Sequence, residues 1–316
     1  MSDLFKAISS SFSRFVYAWM LPSALTVGVF IIFLQRLVRK ASPIEPILAA
    51  AHQNRLSAGV VIAFAVITLS VLFAYTSRPI YEFLEGYTLP MCLQRRLRNR
   101  RLREWQQLKR ISDAGLHVNA KWRRRLRRLA LYPEAAEHVL PTRLGNALKS
   151  LELYGVTRFG LDSQTLWYEL QAVTPPHLRR DIEDTRSAVD FFVSSIAHLV
   201  LLLLVSAVIS IRYQSPTAAI IAVGAFLLLP VAYRGAVRNV GEWRWAVQAL
   251  VNTGRPGLAS ALGLIMPETF HDELDMWSSF TNYVQGGDQG YLEFLNVFRR
   301  PVEGKGDLLK QEQPVR

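Results

Sequence analysis

Apolar residues fall into four long blocks separated by polar and charged chain. Phe15–Leu34, Leu56–Thr76, Val189–Ile211 and Thr217–Tyr233 each approach the roughly 20 apolar residues that cross a hydrocarbon core. The first contains Pro22, the third has the apolar centre Leu199–Val205, and the shorter fourth carries Pro230 near its end. This pattern predicts four transmembrane helices. The first block follows Lys6 and Arg14, as a secretory signal would. Its apolar stretch is longer than a signal's, and Arg36, Arg39 and Lys40 come next, so an anchor is expected. The short link Arg212–Pro216 makes spans three and four an antiparallel hairpin.

Between blocks two and three the period changes to that of exposed helices. Met91–Ser112 places Leu93, Leu97, Trp105, Leu108 and Ile111 near helical spacing, and Leu116–Leu131 does the same with Trp122, Leu126 and Leu129 until Pro133. Thr142 caps a helix expected to reach about Tyr154, Gly155 and Gly160 bracket a turn, and Asp162 or Ser163 caps a second helix over Gln164–Val173. Pro175 and Pro176 stop it. A further helix is expected to run unbroken from there into span three, about 54 Å at standard rise, coupling the segment mechanically to the membrane. After span four, Ala236–Thr253 reads as helix, Gly254, Pro256 and Gly257 as a break, and Leu258–Ile265 as a short helix. Phe270, Leu274, Trp277, Phe280 and Val284 form an apolar stripe opposite Asp272, Glu273 and Asp275. That helix is expected to pack on the cytoplasmic domain, the alternative being a free protein-binding helix.

Composition changes the picture in one respect. Half of the 316 residues are apolar, and 37 Lys and Arg against 25 Asp and Glu leave +12. Fifteen of those cations and only four acids, Glu82, Glu85, Glu104 and Asp113, lie between Arg78 and Arg128. One cysteine, Cys92, excludes an internal disulfide framework and a Cys-rich zinc site. Cations near span ends number eleven on the side of the N-terminus (Lys6, Arg14, Arg78, Arg95, Arg96, Arg179, Arg180, Arg186, Arg234, Arg238, Arg244) and five opposite (Arg36, Arg39, Lys40, Arg55, Arg212). The positive-inside rule then predicts cytoplasmic N- and C-termini.

The expected fold is an all-α integral membrane protein with four transmembrane helices and a cytoplasmic helical domain inserted between spans two and three. Its parts are an N-terminal transmembrane hairpin (1–76), a basic cytoplasmic helical domain (77–188), a second transmembrane hairpin (189–233), C-terminal cytoplasmic helices (234–301) and a disordered tail (302–316).

The basic segment has four readings. Its candidate contact residues are Arg95, Arg96, Arg98, Arg100, Arg101, Arg103, Arg123, Arg124, Arg125, Arg127 and Arg128. They form a solvated face that enforces topology, or they attach to anionic lipid heads, where each positive side chain gains roughly 1 kcal/mol. Nucleic-acid binding has the right charge clustering but no zinc-finger or RRM signature. Pairing with an acidic protein partner is the fourth; Glu268, Asp272, Glu273 and Asp275 are an acidic candidate within this chain.

In span three Asp190, Ser194 and His198 recur every four residues as one polar stripe, loosely extended by Ser206 and Ser210. It reads either as a proton or ion pathway or as interhelical hydrogen bonding. Gly59 and Ala63, and Ala218 and Ala222, are small-residue pairs that permit close helix approach. No phosphate-loop, dinucleotide, zinc-protease or serine-hydrolase motif occurs. The histidines are not paired at metal-ligand spacing. Neither an enzyme activity nor a cofactor or metal is expected.

Tyr81–Tyr87 (YEFLEGY), Pro141–Asn146 (PTRLGN), Glu152, and Arg158–Asp162 with Trp167 (RFGLD…LW) resemble a pattern in a family of uncharacterised bacterial integral membrane proteins. Members place it between their second and third spans. The positions that carry the likeness are Glu85, Gly86, Tyr87, Pro141, Arg143, Gly145, Asn146, Gly160, Asp162 and Trp167. The resemblance covers about residues 60–280 and implies a topology and a location in the bacterial inner membrane. It implies no activity. The leading functional expectation is a membrane-anchored regulatory or scaffolding protein whose basic domain binds anionic lipid or a protein partner. The alternatives are an oligomeric channel or transporter using the span-three stripe, and a membrane-bound nucleic-acid sensor.

Overall fold

The computed structural model describes residues 12–38, 55–113, 120–287 and 289–299. Lys6, Arg39, Lys40, His117 and the tail 302–316 lie outside them. No β-strand occurs among the described residues; Leu264 and Arg299 form an isolated antiparallel bridge.

Among the described residues four helices are long and apolar enough to cross a membrane: α1 (Phe12–Leu34, continued by Gln35–Val38), α2 (Arg55–Tyr75), α9 (Pro176–Tyr213) and α10 (Pro216–Ala261). Their apolar side chains point outward. Val60, Phe64, Leu204, Val208, Ile220 and Phe226 are each 60–71 % exposed. A water-soluble fold would bury such side chains, whereas a bilayer solvates them. In α1, π-helical turns at Val16–Met20 and Phe30–Leu34 interrupt the α-helix. The first ends just before Pro22, which has no N–H for the regular ladder.

The expected unbroken helix into span three is present as the 38-residue α9. Gln214, in a left-handed turn at φ 50°, and Ser215 link it to α10. The expected break after span four is absent: α10 runs 46 residues through Gly254, Pro256 and Gly257. Packing explains this. A Cβ at Gly254 would meet Leu170, and one at Gly257 would meet Val173. Here the glycines admit close neighbours to a helix face rather than ending the helix.

The shorter helices are α3 (Ser77–Glu85), α4 (Met91–Asp113), α5 (Ala120–Leu129), α6 (Arg143–Glu152), α7 (Tyr154–Phe159), α8 (Trp167–Ala172), α11 (Phe270–Gly286) and α12 (Gly290–Leu295). Two expectations shift. Gly155 sits inside α7 instead of in a turn, and the second helix begins at Trp167, after Asp162 accepts from the Gln164 amide and the Thr165 hydroxyl.

The chain packs as two compact units. Unit one holds the described residues within 1–149 and 181–244, and unit two those within 150–180 and 245–299. In unit one, Leu144, Ala147 and Leu148 of α6 pack with Val189, Val193 and Ile196 of α9 and Ala232, Ala236 and Val240 of α10. A second cluster joins Trp105 and Leu108 of α4 to Tyr132 and Val139 of the following loop. A third joins Leu34, Ile209 and Ala218 at the far end of the spans.

In unit two, α11 buries Glu273, Met276, Trp277 and Thr281. This corrects the expected stripe: Phe270 is 79 % exposed, while Glu273, assigned to the polar face, is 5 % exposed. Glu273 turns inward because Arg255 awaits it there.

Candidate functional site

The arginine-rich pair α4 and α5 begins with its apolar anchors. Trp105 Nε1 donates to the Pro133 carbonyl at 3.0 Å, and Lys109 lies over the Trp105 ring at 4.7 Å. Arg98 donates to the carbonyls of Val139 and Glu137, at 2.8 and 2.9 Å, and so belongs to the fold. Arg101 is half-buried and pairs with Glu104 at 2.6 Å. The remaining candidates, Arg95, Arg96, Arg100, Arg103, Arg123, Arg124, Arg125, Arg127 and Arg128, are exposed. Among the described residues none of these makes a salt bridge. They form a cationic surface on two helices fixed by an aromatic core.

Glu104 is the acid within this surface. Burial raises its proton affinity, but the Arg143 and Arg101 guanidiniums outweigh it and hold the carboxyl below its ordinary range. Tyr132, beside it, is pushed up to about 12 by burial and by the Glu104 charge.

The stripe in span three divides. Asp190 accepts from the Tyr81 hydroxyl of α3 at 2.6 Å. Burial first, and the Asp190 charge second, keep the Tyr81 phenol protonated well beyond its ordinary range. Further along, His198 is 2 % exposed. Its Nδ1 lies 2.8 Å from the Ser194 carbonyl, which only accepts, so this nitrogen carries a proton. Its Nε2 lies 2.8 Å from the Ser23 hydroxyl of α1, and the Phe73 ring of α2 packs on the imidazole at 4.2 Å between centroids. His198 thus joins three spans. Ser206 is buried, and Ser210 donates to the Ser215 carbonyl. Of the small-residue pairs, Ala218 and Ala222 are buried, while Gly59 and Ala63 face outward.

The segments that carry the family resemblance meet in space within each unit. In unit one, Gly86 ends α3 at φ +98°, and a Cβ there would crowd Pro141. A Cβ on Gly145 would lie 2.6 Å from the Glu85 carbonyl. The Thr142 hydroxyl donates to that same carbonyl and accepts from the Gly145 amide, capping α6. Asn146, fully buried, closes the preceding loop by accepting from the Leu140 amide and donating to the Leu140 and Thr142 carbonyls. Arg143 pairs with Glu104 at 3.3 Å. Tyr87 is exposed. In unit two, Gly160 at φ +73° lies against Leu274 and Ser278 of α11, and Asp162 accepts from Gln285 at 2.8 Å. Trp167 opens α8 and is half-buried. These residues hold segments together; they do not converge on one reactive centre.

Sequence reasoning missed Ser23, Phe73 and Tyr233 as partners, because single polar or aromatic residues in a span carry no periodic signal. It also missed the Arg255–Glu273 pair. Arg255 contacts Glu273 and lies over the Phe159 ring at 3.4 Å, and Trp277 Nε1 donates to Glu273 at 3.2 Å. Among the described residues no group of three His, Cys, Asp or Glu is placed to hold a metal ion. No family model matches the chain, no curated protein matches it, and no solved structure matches it.

Proposed function

We propose that this is a membrane-anchored regulatory or scaffolding protein of the bacterial inner membrane whose α4–α5 arginines face the cytoplasm and bind anionic lipid headgroups. One observation carries this reading: apart from Arg98 and Arg101, the candidate arginines of α4 and α5 stay exposed and make no salt bridge among the described residues, while Trp105, Leu108 and Tyr132 provide the fold. A cationic surface that is not consumed by the protein's own acids is available to an external anion. Proximity to four membrane spans makes the bilayer the nearest source of such anions, and each exposed cation near an anionic surface contributes roughly 1 kcal/mol. The excess of cations near the span ends on that side supports the cytoplasmic placement.

The test is lipid enrichment around the reconstituted protein. Full-length protein in bilayers of mixed phosphatidylcholine and phosphatidylglycerol is released into the gas phase for native mass spectrometry. The wild type should retain phosphatidylglycerol preferentially, and less of it as salt rises. Replacing Arg95, Arg96, Arg100, Arg103, Arg123, Arg124, Arg125 and Arg127 by Gln should remove the preference. Equal retention by the two proteins would reject lipid as the partner.

A further inference from the structure

Within unit one a cleft of about 180 Å³ is lined by Glu104, Arg128, Leu131, Tyr132, Arg143 and Val237. At ~30 Å³ per water it has room for several waters, or for one tetrahedral anion. Its depth in the membrane follows from α10. Val237 lies one helical turn beyond Tyr233, which closes the fourth apolar block, and the Tyr233 hydroxyl accepts from the Leu144 amide of α6. With the fourth apolar block read as a span, the cleft sits where that span leaves the hydrocarbon and phosphates begin.

The lining is built for an anion. Arg128 is exposed and has no salt-bridge partner among the described residues. Arg143 touches Glu104 through one terminal nitrogen, and its side chain is 54 % exposed. Glu104 is already held by Arg101 at 2.6 Å, so it fixes the Arg143 guanidinium without cancelling both cleft cations. Tyr132 is only 7 % exposed, and its ring and hydroxyl wall the cleft beside Glu104 and Arg101.

We propose that this cleft binds the phosphate group of an anionic membrane lipid, with Arg128 and Arg143 as its cationic donors. The planar guanidinium offers paired N–H groups that match phosphate oxygens, which an exposed lysine would not. Glu104 is a positioning residue for Arg143. This inference rests on the reading of the basic helices as lipid-facing, and it narrows that reading from a diffuse surface to one site.

Full-length protein in neutral detergent is titrated calorimetrically with short-chain phosphatidic acid and, separately, with inorganic phosphate. Phosphatidic acid should saturate a single site. Arg128→Gln should weaken it about tenfold or more, the effect of one lost charge-assisted hydrogen bond, with the melting temperature unchanged because Arg128 is exposed and makes no salt bridge among the described residues. Arg143→Gln should weaken it as well, and Arg78→Gln, outside both the cleft and the arginines of α4 and α5, should not. Wild-type affinity in Arg128→Gln overturns the cleft. If phosphatidylglycerol retention is then still lost in the multiple-Gln protein, the broader lipid reading stands without the cleft; if retention persists there too, both fail. Inorganic phosphate binding as tightly as phosphatidic acid overturns the lipid as source and leaves a site for soluble phosphates.

Discussion

The guanidiniums of α4 and α5 and that of Arg255 in α10 are chemically identical and are used in opposite ways. On α4 and α5 most stand in solvent with no acid to meet, while Arg98 and Arg101 are committed to the fold. Arg255 is 9 % exposed, sealed between the Phe159 ring and Glu273. An exposed charge costs the fold little and keeps its reach for partners. A buried one must be matched, because an unmatched charge in low dielectric is strongly unfavourable. Charge density alone therefore does not identify the arginines that stabilise the protein.

Breaking the buried pair gives the largest expected effect. Arg255→Met leaves Glu273 buried and unpaired and should cost about 3–5 kcal/mol, read as loss of unit-two structure in thermal unfolding in detergent. Adding Glu273→Leu should recover much of that loss. A single Arg255→Met variant that melts like the wild type would mean that the pair does not anchor α11.

A smaller effect tests the partly buried acid that divides the two regimes. The Glu104 carboxyl is held below its ordinary range, so its ionised form is the one the fold favours. Its contribution is present above the unfolded pKa, about 4.5, and is lost as pH falls through the lower folded value. Melting temperature measured from pH 6 down to pH 3 should therefore fall less steeply in Glu104→Gln than in the wild type. Parallel curves would remove Glu104 from the network with Arg101 and Arg143.

The smallest effect lies on the exposed face. Arg123→Gln combined with Arg125→Gln should leave the melting temperature unchanged, since both side chains are exposed and neither makes a salt bridge among the described residues, and surface substitutions of this kind are near neutral. A marked drop would show that these arginines are structural, and would undercut their assignment to lipid.

Much of this was legible in the sequence, and the reasons differ by element. The spans were, because roughly 20 uncharged apolar residues have few other destinations. The long α9 was, because no glycine or proline interrupts Pro176–Tyr213 after its start. The glycines at 254 and 257 were misread, since the same residue that ends an isolated helix also admits Leu170 and Val173 against a packed one. The stripe on α11 was rotated, because counting hydrophobic positions places every Glu in solvent, and only a buried Arg255 makes an inward Glu273 favourable. Asp190, Ser194 and His198 were rightly seen as polar positions on one helix. Their separation into a Tyr81 pair and a Ser23–Phe73 junction was invisible, because the partners lie on other helices at arbitrary sequence distance.

By itself the sequence determined the membrane-spanning helices, the α-helical class and the local excess of positive charge. Hydrophobic length, helical period and formal charge are sums over neighbouring residues and need no knowledge of the fold. Tertiary structure alone decided which arginines remain exposed, that Glu104 and Arg143 meet beside Tyr132 at one cleft, and that the PTRLGN segment locks onto the turn at Gly86. Each of those depends on groups brought within a few ångströms by packing, where short-range hydrogen bonds and desolvation, rather than sequence proximity, set the energy.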